Sequence, residues 1–365
     1  MATHIETPRI PRQGDAFVNL RPRNKLVRRS ATEHSQAARR SFQIAFLVLN
    51  LYLGATFYFW VRQFEGGLRM VSERPPGVEG WLPIAGMMNF KYWLVTGSVP
   101  RVHPAAMFLL LSFVAISVFF RKAFCSWLCP MGTISESLAG LGCRIFGRNL
   151  RIPTGVDLAL RGLKYLLLGF FVWAIASMSA PALGTFMHSP YALIADVKML
   201  NFFRHLDRTR FIVIGILVIA SALVKNFWCR YLCPYGALLG LASIFSPIRI
   251  RRTPSACIDC AKCARACPAN LRVDKLVTIQ SAECTGCMEC VAACPAEGAL
   301  GMHLRRTLVP TWVMATGIAL VFCGVVGYAK VSGHWRTHIS PGFYEELVPA
   351  ADQVSHPMPG DASLK

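Results

Sequence analysis

Long apolar runs separated by basic residues limit what this chain can fold into. A membrane-spanning helix needs about 20 mostly apolar residues. Five stretches approach that length: residues 42–61, 102–120, 165–183, 211–224 and 308–329. Hydrophobic residues make up 54% of the chain and charged residues 16%, against about 45–50% and about 25% in soluble domains. The sequence therefore predicts an α-helical integral membrane protein with about five transmembrane helices, of which the fourth is the weakest because it is the shortest.

The distribution of charge predicts how these helices are oriented. Cytoplasmic loops are enriched in Lys and Arg. With the N-terminus inside, 27 of the 39 Lys and Arg residues fall in inner segments and 12 in outer segments. We therefore expect a multi-pass protein of the bacterial cytoplasmic (inner) membrane, with its C-terminus in the periplasm. The net charge of +20 does not indicate nucleic-acid binding, because the basic residues lie between apolar runs and are not gathered on one domain.

These patterns divide the chain into regions. We predict a basic, disordered cytoplasmic tail at 1–41, a membrane domain with four spans at 42–248, a cytoplasmic cysteine-rich domain at 249–306, a fifth helix at 307–330 and a periplasmic tail at 331–365. Residues 81–100 are apolar but interrupted by proline and glycine, which predicts an interfacial or re-entrant segment on the outer side. Thr154 and Asp157 predict a capping box before the third span.

Eight of the 14 cysteines lie in two copies of one motif. Residues 257–268 read CIDCAKCARACP and residues 284–295 read CTGCMECVAACP, each of them C-x2-C-x2-C-x3-C-P. In this motif three cysteines bind one 4Fe-4S cluster and the fourth, before the proline, binds the other cluster. The predicted ligand sets are Cys257, Cys260, Cys263 and Cys294 for one cluster, and Cys284, Cys287, Cys290 and Cys267 for the second. Two structural zinc sites are the alternative, since zinc also takes four thiolates.

This segment resembles a bacterial two-cluster ferredoxin over about 60 residues. The resemblance implies a small α+β module with two 4Fe-4S clusters, inserted into the membrane protein. The module is basic, with nine Lys and Arg against five Asp and Glu between Arg249 and Arg306. That charge would suit contact with an anionic inner leaflet or an acidic electron donor, and it equally fits charge that only sets the topology.

A second cysteine motif also occurs twice. Residues 124–132 read FCSWLCPMG and residues 228–236 read WCRYLCPYG. The pairs Cys125/Cys129 and Cys229/Cys233 have i, i+4 spacing, which places both thiols on one face of a helix, and the next residue, proline, breaks or redirects that helix. Because both motifs end spans of the same direction, the four thiols are predicted to converge. They would suit a third iron-sulfur centre or copper(I), a dithiol–disulfide couple, or simple apolar packing.

The two motifs and the ferredoxin-like module together resemble the NapH/NosR/CcoG-type membrane polyferredoxins over about residues 42–306. The resemblance implies an oxidoreductase-type electron-transfer protein that relays single electrons between the quinone pool or a redox partner protein and its 4Fe-4S clusters. Some features depart from these relatives: a NosR-like chain would carry a large flavin-binding domain where 41 polar residues precede the first predicted span, a CcoG-like chain would carry an immunoglobulin-like domain where about 36 residues follow the fifth, and a NapH-like chain would end near the module. Two alternatives are a copper-reducing assembly factor for a respiratory oxidase and an iron-sulfur redox sensor.

Histidines form a weaker set of candidates. Six of them fall on the predicted outer side: His103, His188, His205, His334, His338 and His356. Histidine commonly contacts haem, copper or quinone. His334 and His338 would suit a haem or copper site and His103 or His188 a quinol site, with solvated loop histidines as the alternative.

Overall fold

The structure is a computed structural model and describes residues 24–29, 34–67 and 72–357. Within these residues the chain is mostly helical. The helices are α1 (Ser35–Glu65), α2 (Pro83–Thr96), α3 (Pro104–Phe120), α4 (Pro130–Phe146), α5 (Thr154–Ser177), α6 (Ala180–Met187), α7 (Pro190–Leu193), α8 (Ala195–Arg204), α9 (Arg208–Leu223), α10 (Pro234–Ala242), α11 (Lys262–Ala266), α12 (Glu289–Ala292), α13 (Thr311–Val331) and α14 (Pro341–Leu347). The strands are β1 (Ile248–Arg252), β2 (Leu300–Leu304) and β3 (Thr307–Leu308).

Three of the described helices, α1, α5 and α13, are long and apolar enough to cross a membrane. They contain most of the first, third and fifth predicted spans. The second and fourth predicted spans form α3 and α9, whose 17 and 16 residues fall short of the usual span. Proline at the first position starts α3, and Arg121, with a φ of 62°, ends it. The protein is therefore a helical membrane protein with three candidate spans, and the count of five stays a prediction.

The apolar segment at 81–100 folds back against α3. A 3-10 turn at Pro76–Trp81 leads into α2, which packs closely along α3: a Cβ on Gly86 would lie 2.7 Å from the Ala106 carbonyl oxygen. The Trp81 indole N–H donates to the side-chain oxygen of Asn50, near the middle of α1, at 3.0 Å. The turn thus packs against the middle of α1, and its interfacial or re-entrant position stays a prediction.

The cysteine-rich segment folds as a small α+β module. Its antiparallel sheet has the order β1-β2-β3, with Ile248 paired to Leu304 and Arg252 to Leu300. The short helices α11 and α12 each contain the third cysteine of one motif. One buried cluster joins Phe113 of α3, Trp127, Ile250, Met302 and Ile318 of α13. The module and the helical domain therefore share a continuous apolar core.

The N-terminal region differs from the disordered tail that the sequence predicts. Helix α1 begins at Ser35, ahead of residue 42. Residues 24–29 lie along the module, where Arg28 forms an antiparallel bridge with Ala296 and the Glu297 N–H donates to the Val27 carbonyl at 2.9 Å. This pairing satisfies backbone groups that an open edge of the module would otherwise leave unpaired. The rest of the predicted tail lies outside the described residues.

Candidate cluster-binding sites

The second predicted ligand set of the module surrounds a cavity. Its four cysteines line the space together with Ile250, Leu271, Val273 and Ile279: Cys267, Cys284, Cys287 and Cys290. Among the described residues that line it, none is charged. Four thiols around a dry, apolar cavity fit the donor set and the environment of a 4Fe-4S cluster.

The first predicted set lies nearer the surface. The Cys294 thiol interacts electrostatically with Cys257 and Cys260, and the Cys263 thiol with Cys257 and Cys294. These four side chains are partly exposed, whereas Cys284, Cys287 and Cys290 are buried. The two sets adjoin each other, because the thiol of Cys290 also interacts with that of Cys263.

The two C-x3-C-P motifs form matching turns in place of the predicted α-helical face. Phe124–Leu128 and Trp228–Leu232 are single π turns, closed by hydrogen bonds from the Cys129 N–H to the Phe124 carbonyl at 2.9 Å and from the Cys233 N–H to the Trp228 carbonyl at 3.0 Å. The second cysteine of each pair caps the helix that begins with the following proline. The motif therefore straddles a helix boundary, because proline fits as the first residue of a new helix.

The four thiols of these turns face one another, as the repeat predicts. The Cys229 thiol interacts electrostatically with those of Cys129, Cys233 and Cys125. Burial raises the pKa of the Cys125 thiol to about 11 and that of Cys129 to about 12. The thiolate is both the nucleophile of disulfide exchange and the ligand of a metal, so burial alone does not select one of these reactions. A metal centre bound here would displace the thiol protons.

A hydrogen bond to sulfur also fits a cluster at this four-thiol site. The Gly236 N–H donates to the Cys233 Sγ at 3.2 Å. Hydrogen bonds to the sulfurs are one of the ways in which proteins tune iron-sulfur clusters. A polar pocket borders the site and is lined by Cys125 and Cys229, and also by Pro268, Ala269 and Thr285 of the module. The residues present therefore fit a third iron-sulfur centre beside the second ferredoxin set.

Polar contacts hold the first turn against α1 and the module. Arg39 of α1 is buried and donates to both carboxylate oxygens of Glu136, at 2.7 and 2.6 Å. The Gln43 side chain donates to the Ser126 carbonyl at 3.0 Å, and the Ser126 hydroxyl donates to the Thr285 carbonyl at 2.7 Å. The apolar pattern does not predict these contacts, although Arg39 lies only three residues before an apolar run, where a charge commonly has a partner.

The second turn is fixed by Asp157, which the sequence predicts as a capping residue. Asp157 accepts a hydrogen bond from the Tyr231 hydroxyl at 2.6 Å and pairs with Arg230 at 2.5 Å. The N-cap of α5 is Pro153, without a side-chain cap. The capping-box prediction is wrong because the Asp157 carboxylate is taken up by Arg230 and Arg161.

A buried ion pair lies between the four-thiol site and the second ferredoxin set. Lys164 of α5 pairs with Glu283 at 2.6 Å, and the Tyr165 hydroxyl donates to the same carboxylate at 3.0 Å. Burial alone would raise the pKa of Glu283, but the charges of Lys122 and Lys164 and these hydrogen bonds hold it below its usual value. Glu283, the residue directly before Cys284, is therefore a carboxylate whose negative charge is balanced by nearby lysines.

The histidines are placed apart from these sites. His103 is buried and its ring contacts Glu79, Arg74 and the Ala192 carbonyl. The His188 ring contacts the Gly184 carbonyl, and the His334 ring packs on Phe108. The described part of the chain contains no group of three or more His, Cys, Asp or Glu side chains arranged for a single metal ion.

Comparison with known proteins identifies the family. Residues 102–153 and 209–253, which hold the two C-x3-C-P turns, match a "4Fe-4S binding domain" family, and residues 249–295 match a "4Fe-4S dicluster domain" family. The protein YccM of Escherichia coli (strain K12) is 46% identical over 326 residues, covering 87% of this chain and 91% of YccM. The chain belongs to the membrane polyferredoxins of the NapH/NosR type.

Other polyferredoxins match over shorter stretches. NirI of Paracoccus denitrificans is 31% identical over 202 residues, covering 52% of this chain and 28% of NirI. NapH of Escherichia coli, named a ferredoxin-type protein, is 24% identical over 233 residues, covering 61% of this chain and 71% of NapH. No solved structure matches. This polyferredoxin thus carries iron-sulfur-binding domains in both its helical domain and its module.

Proposed function

We propose that the protein relays single electrons at the cytoplasmic face of the membrane. The electrons pass between the quinone pool or a redox partner and the 4Fe-4S clusters of the protein. The name of its relative YccM refers to electron transport, and membership of the polyferredoxin family supports the same class of activity. A 4Fe-4S cluster supplies a one-electron redox centre when it is bound. The chain's own residues supply the ligands, exclude water and set the order of the sites.

The contiguity of three cysteine sets is the observation that carries this proposal. The cavity of the second ferredoxin set and the pocket at the four-thiol site share Pro268, Ala269 and Thr285 as lining residues. On the other side, Cys290 of the second ferredoxin set adjoins Cys263 of the first. The sets therefore follow one another, from the ends of the membrane helices to the partly exposed outer part of the module.

Burial supports a direction for the exchange with partners. The four-thiol site is enclosed by residues such as Phe124 and Trp127, which are buried, and it adjoins the helical domain. The cysteines of the first ferredoxin set are the more exposed ones of the module. We infer that a soluble redox partner exchanges electrons at this exposed set and that the membrane-side donor or acceptor, a quinone, reacts nearer the four-thiol site. The excess of Lys and Arg in the predicted inner segments supports a cytoplasmic module.

The decisive experiment is the iron and acid-labile sulfide content of anaerobically purified protein. Three clusters predict about 12 iron atoms per chain and two predict about 8. We expect about 12 for the natural chain and about 8 for the double variant Cys125→Ala/Cys229→Ala, with the EPR signals of the module retained.

The matched control is Cys143→Ala/Cys323→Ala, because these two exposed cysteines lie outside all three sets; it should keep about 12 iron atoms. A content of about 8 in every protein would contradict the third centre. One copper per chain that disappears in the double variant would instead support the copper-reducing assembly factor.

A further inference from the structure

Lys122 is a buried cation beside the four-thiol site. Its side chain follows the end of α3 and is 3% exposed. In the described part of the chain its ammonium makes no direct hydrogen bond or ion pair, and its charge acts at longer range on the Glu283 carboxylate. A buried ammonium acts strongly on nearby charges because little water screens it. Lys122 also lines the pocket that adjoins the four thiols.

The ammonium points at the four-thiol site. Its Nζ lies 3.4 Å from the position that a Cβ would take on Gly236, and the Cys233 Sγ lies 3.6 Å from the same position. The charge of Lys122 also acts on the thiols of Cys125 and Cys229. The side chain thus lies against both C-x3-C-P turns.

The other charged residues that line this pocket have partners. Arg39 pairs with Glu136, Arg230 with Asp157, and Glu283 with Lys164. Glu289 lies 3.4 Å from Arg39 and 3.8 Å from Lys225. Lys122 shares the Glu283 carboxylate with Lys164 and makes no direct contact of its own, so its charge is free to act on an anionic group held by the four thiols.

The second repeat places a polar side chain at the equivalent position. Lys122 and Asn226 each stand three residues before the first cysteine of their motif. Asn226 lines the same pocket, and its side-chain oxygen is buried without a hydrogen-bond partner. Two equivalent polar groups, one from each repeat, thus flank the four thiols, and only one of them is charged.

We propose that Lys122 sets the reduction potential of the group held by Cys125, Cys129, Cys229 and Cys233. Four thiolates give an iron-sulfur centre a net negative charge, and one-electron reduction adds another. A fixed positive charge in a site of low dielectric stabilises the reduced form more than the oxidised form, and charge near a cluster is one determinant of its potential. Lys122 is thus a positioning residue that acts on the cluster through its charge. The inference rests on the proposed function, since it requires a redox centre at these thiols.

The test is an EPR-monitored redox titration of purified protein with its iron counted. In Lys122→Met we expect reduction of the third centre to become at least tenfold less favourable, which is a midpoint potential about 59 mV more negative for one electron. Asn226→Lys should shift the potential in the opposite direction. Lys122→Arg keeps the charge and should restore most of the natural value.

Lys275→Met is the matched control. It removes the same charge from an exposed side chain of the module that does not line the pocket, so water screens it and the potential should hardly move. A third centre whose potential is unchanged in Lys122→Met and in Asn226→Lys would overturn the inference while leaving the proposed function intact. The absence of any third centre from the natural protein, with about 8 iron atoms, would overturn both.

Discussion

At the scale of single residues, the two C-P-x-G endings impose unequal steric demands. A Cβ on Gly132 would lie 2.2 Å from the Cys125 carbonyl oxygen. That oxygen belongs to the backbone of the cysteine turn and cannot move alone. A Cβ on Gly236 would meet its nearest neighbours at 3.4 to 3.6 Å, which is ordinary contact. The first repeat therefore requires glycine at this position, whereas the second repeat has room for a Cβ.

We expect Gly132→Ala to displace Cys125 and to lower the iron content from about 12 to about 8 per chain. Overpacking of this kind also costs about 1–3 kcal/mol of stability. Gly236→Ala should keep its iron. Gly140→Ala, on the same helix with open space around it, should be neutral or slightly stabilising, because alanine favours helix. Iron content and thermal unfolding measure both effects, and iron retained in Gly132→Ala would contradict the steric argument.

The residues of the sites differ in how far the sequence could predict them. The ligand sets can be predicted from the sequence because a cluster fixes the spacing of its ligands along the chain, and their role as ligands stays a prediction. The sequence wrongly predicts Asp157 as a capping residue. Its hydrogen-bond partner Tyr231 is 74 residues away, and a local sequence pattern cannot identify so distant a partner. The burial of Lys122 beside the four thiols could not be predicted either, because burial depends on contacts between distant segments.

At the scale of elements, a buried ionic network joins α3, α8 and the turn before α2. Arg74 pairs with Glu79 at 2.6 Å and with Asp196 of α8 at 2.6 Å, and both carboxylates are fully buried. Glu79 also accepts a hydrogen bond from the Ala106 N–H in the first turn of α3, at 3.1 Å. His103, which precedes α3, lies 3.3 Å from Glu79. The network ties the turn before α2 to α3 and α8.

Arg74→Met should therefore be strongly destabilising, by about 3–5 kcal/mol, because it leaves two buried carboxylates without their cation. Thermal unfolding in detergent measures the loss. The control is Arg336→Met, which removes an arginine from an exposed pair with Glu73 and should change stability little. Equal unfolding temperatures for the two variants would show that the network does not stabilise the fold.

The same network predicts a dependence of stability on pH. Burial would raise the pKa of Glu79, but Arg74 and His103 hold it below the usual value of 4.5. A carboxyl with a depressed pKa in the folded state contributes stability above its unfolded pKa and loses it as the pH falls through the folded value. The natural protein should thus lose stability below about pH 4.5, and Glu79→Gln should lower stability at pH 7 and flatten this part of the profile.

The lengths of the helices show which of them the hydrophobic pattern predicts. The long runs predicted α1, α5 and α13, since twenty apolar residues in succession leave few other structures. Their exact ends depended on tertiary contacts: α1 extends back to Ser35 because Arg39 and Gln43 find partners in the first cysteine turn. The short helices α3 and α9 are each followed closely by a cysteine turn, so the motif limits their length.

At the scale of the whole molecule, the module and the helical domain act as one body through their shared core. The proposed relay then predicts that a membrane-impermeant oxidant reaches the clusters from one side of the membrane only. In inverted membrane vesicles, a quinol should reduce the clusters of the module, and ferricyanide, which does not cross the membrane, should reoxidise them. In right-side-out vesicles ferricyanide should have no access.

The reduction should be lost in Cys125→Ala/Cys229→Ala and kept in Cys143→Ala/Cys323→Ala, as followed by EPR. Clusters that quinol fails to reduce in natural membranes would argue against the quinone pool as the partner. Reoxidation in right-side-out vesicles would place the module on the opposite side.

The contacts of residues 24–29 also constrain the order in which parts of the protein can fold together. The Arg29 side chain donates to the Val291 carbonyl, 262 residues further along the chain. At about 5–20 residues per second of synthesis, the ribosome needs on the order of 10 to 50 seconds to make that partner. During this time α1 and the helices after it are already available for membrane insertion, while residues 24–29 wait for the module to be made. These residues can therefore pack against the edge of the module only late in assembly, after the first three cysteines of the second motif have been made.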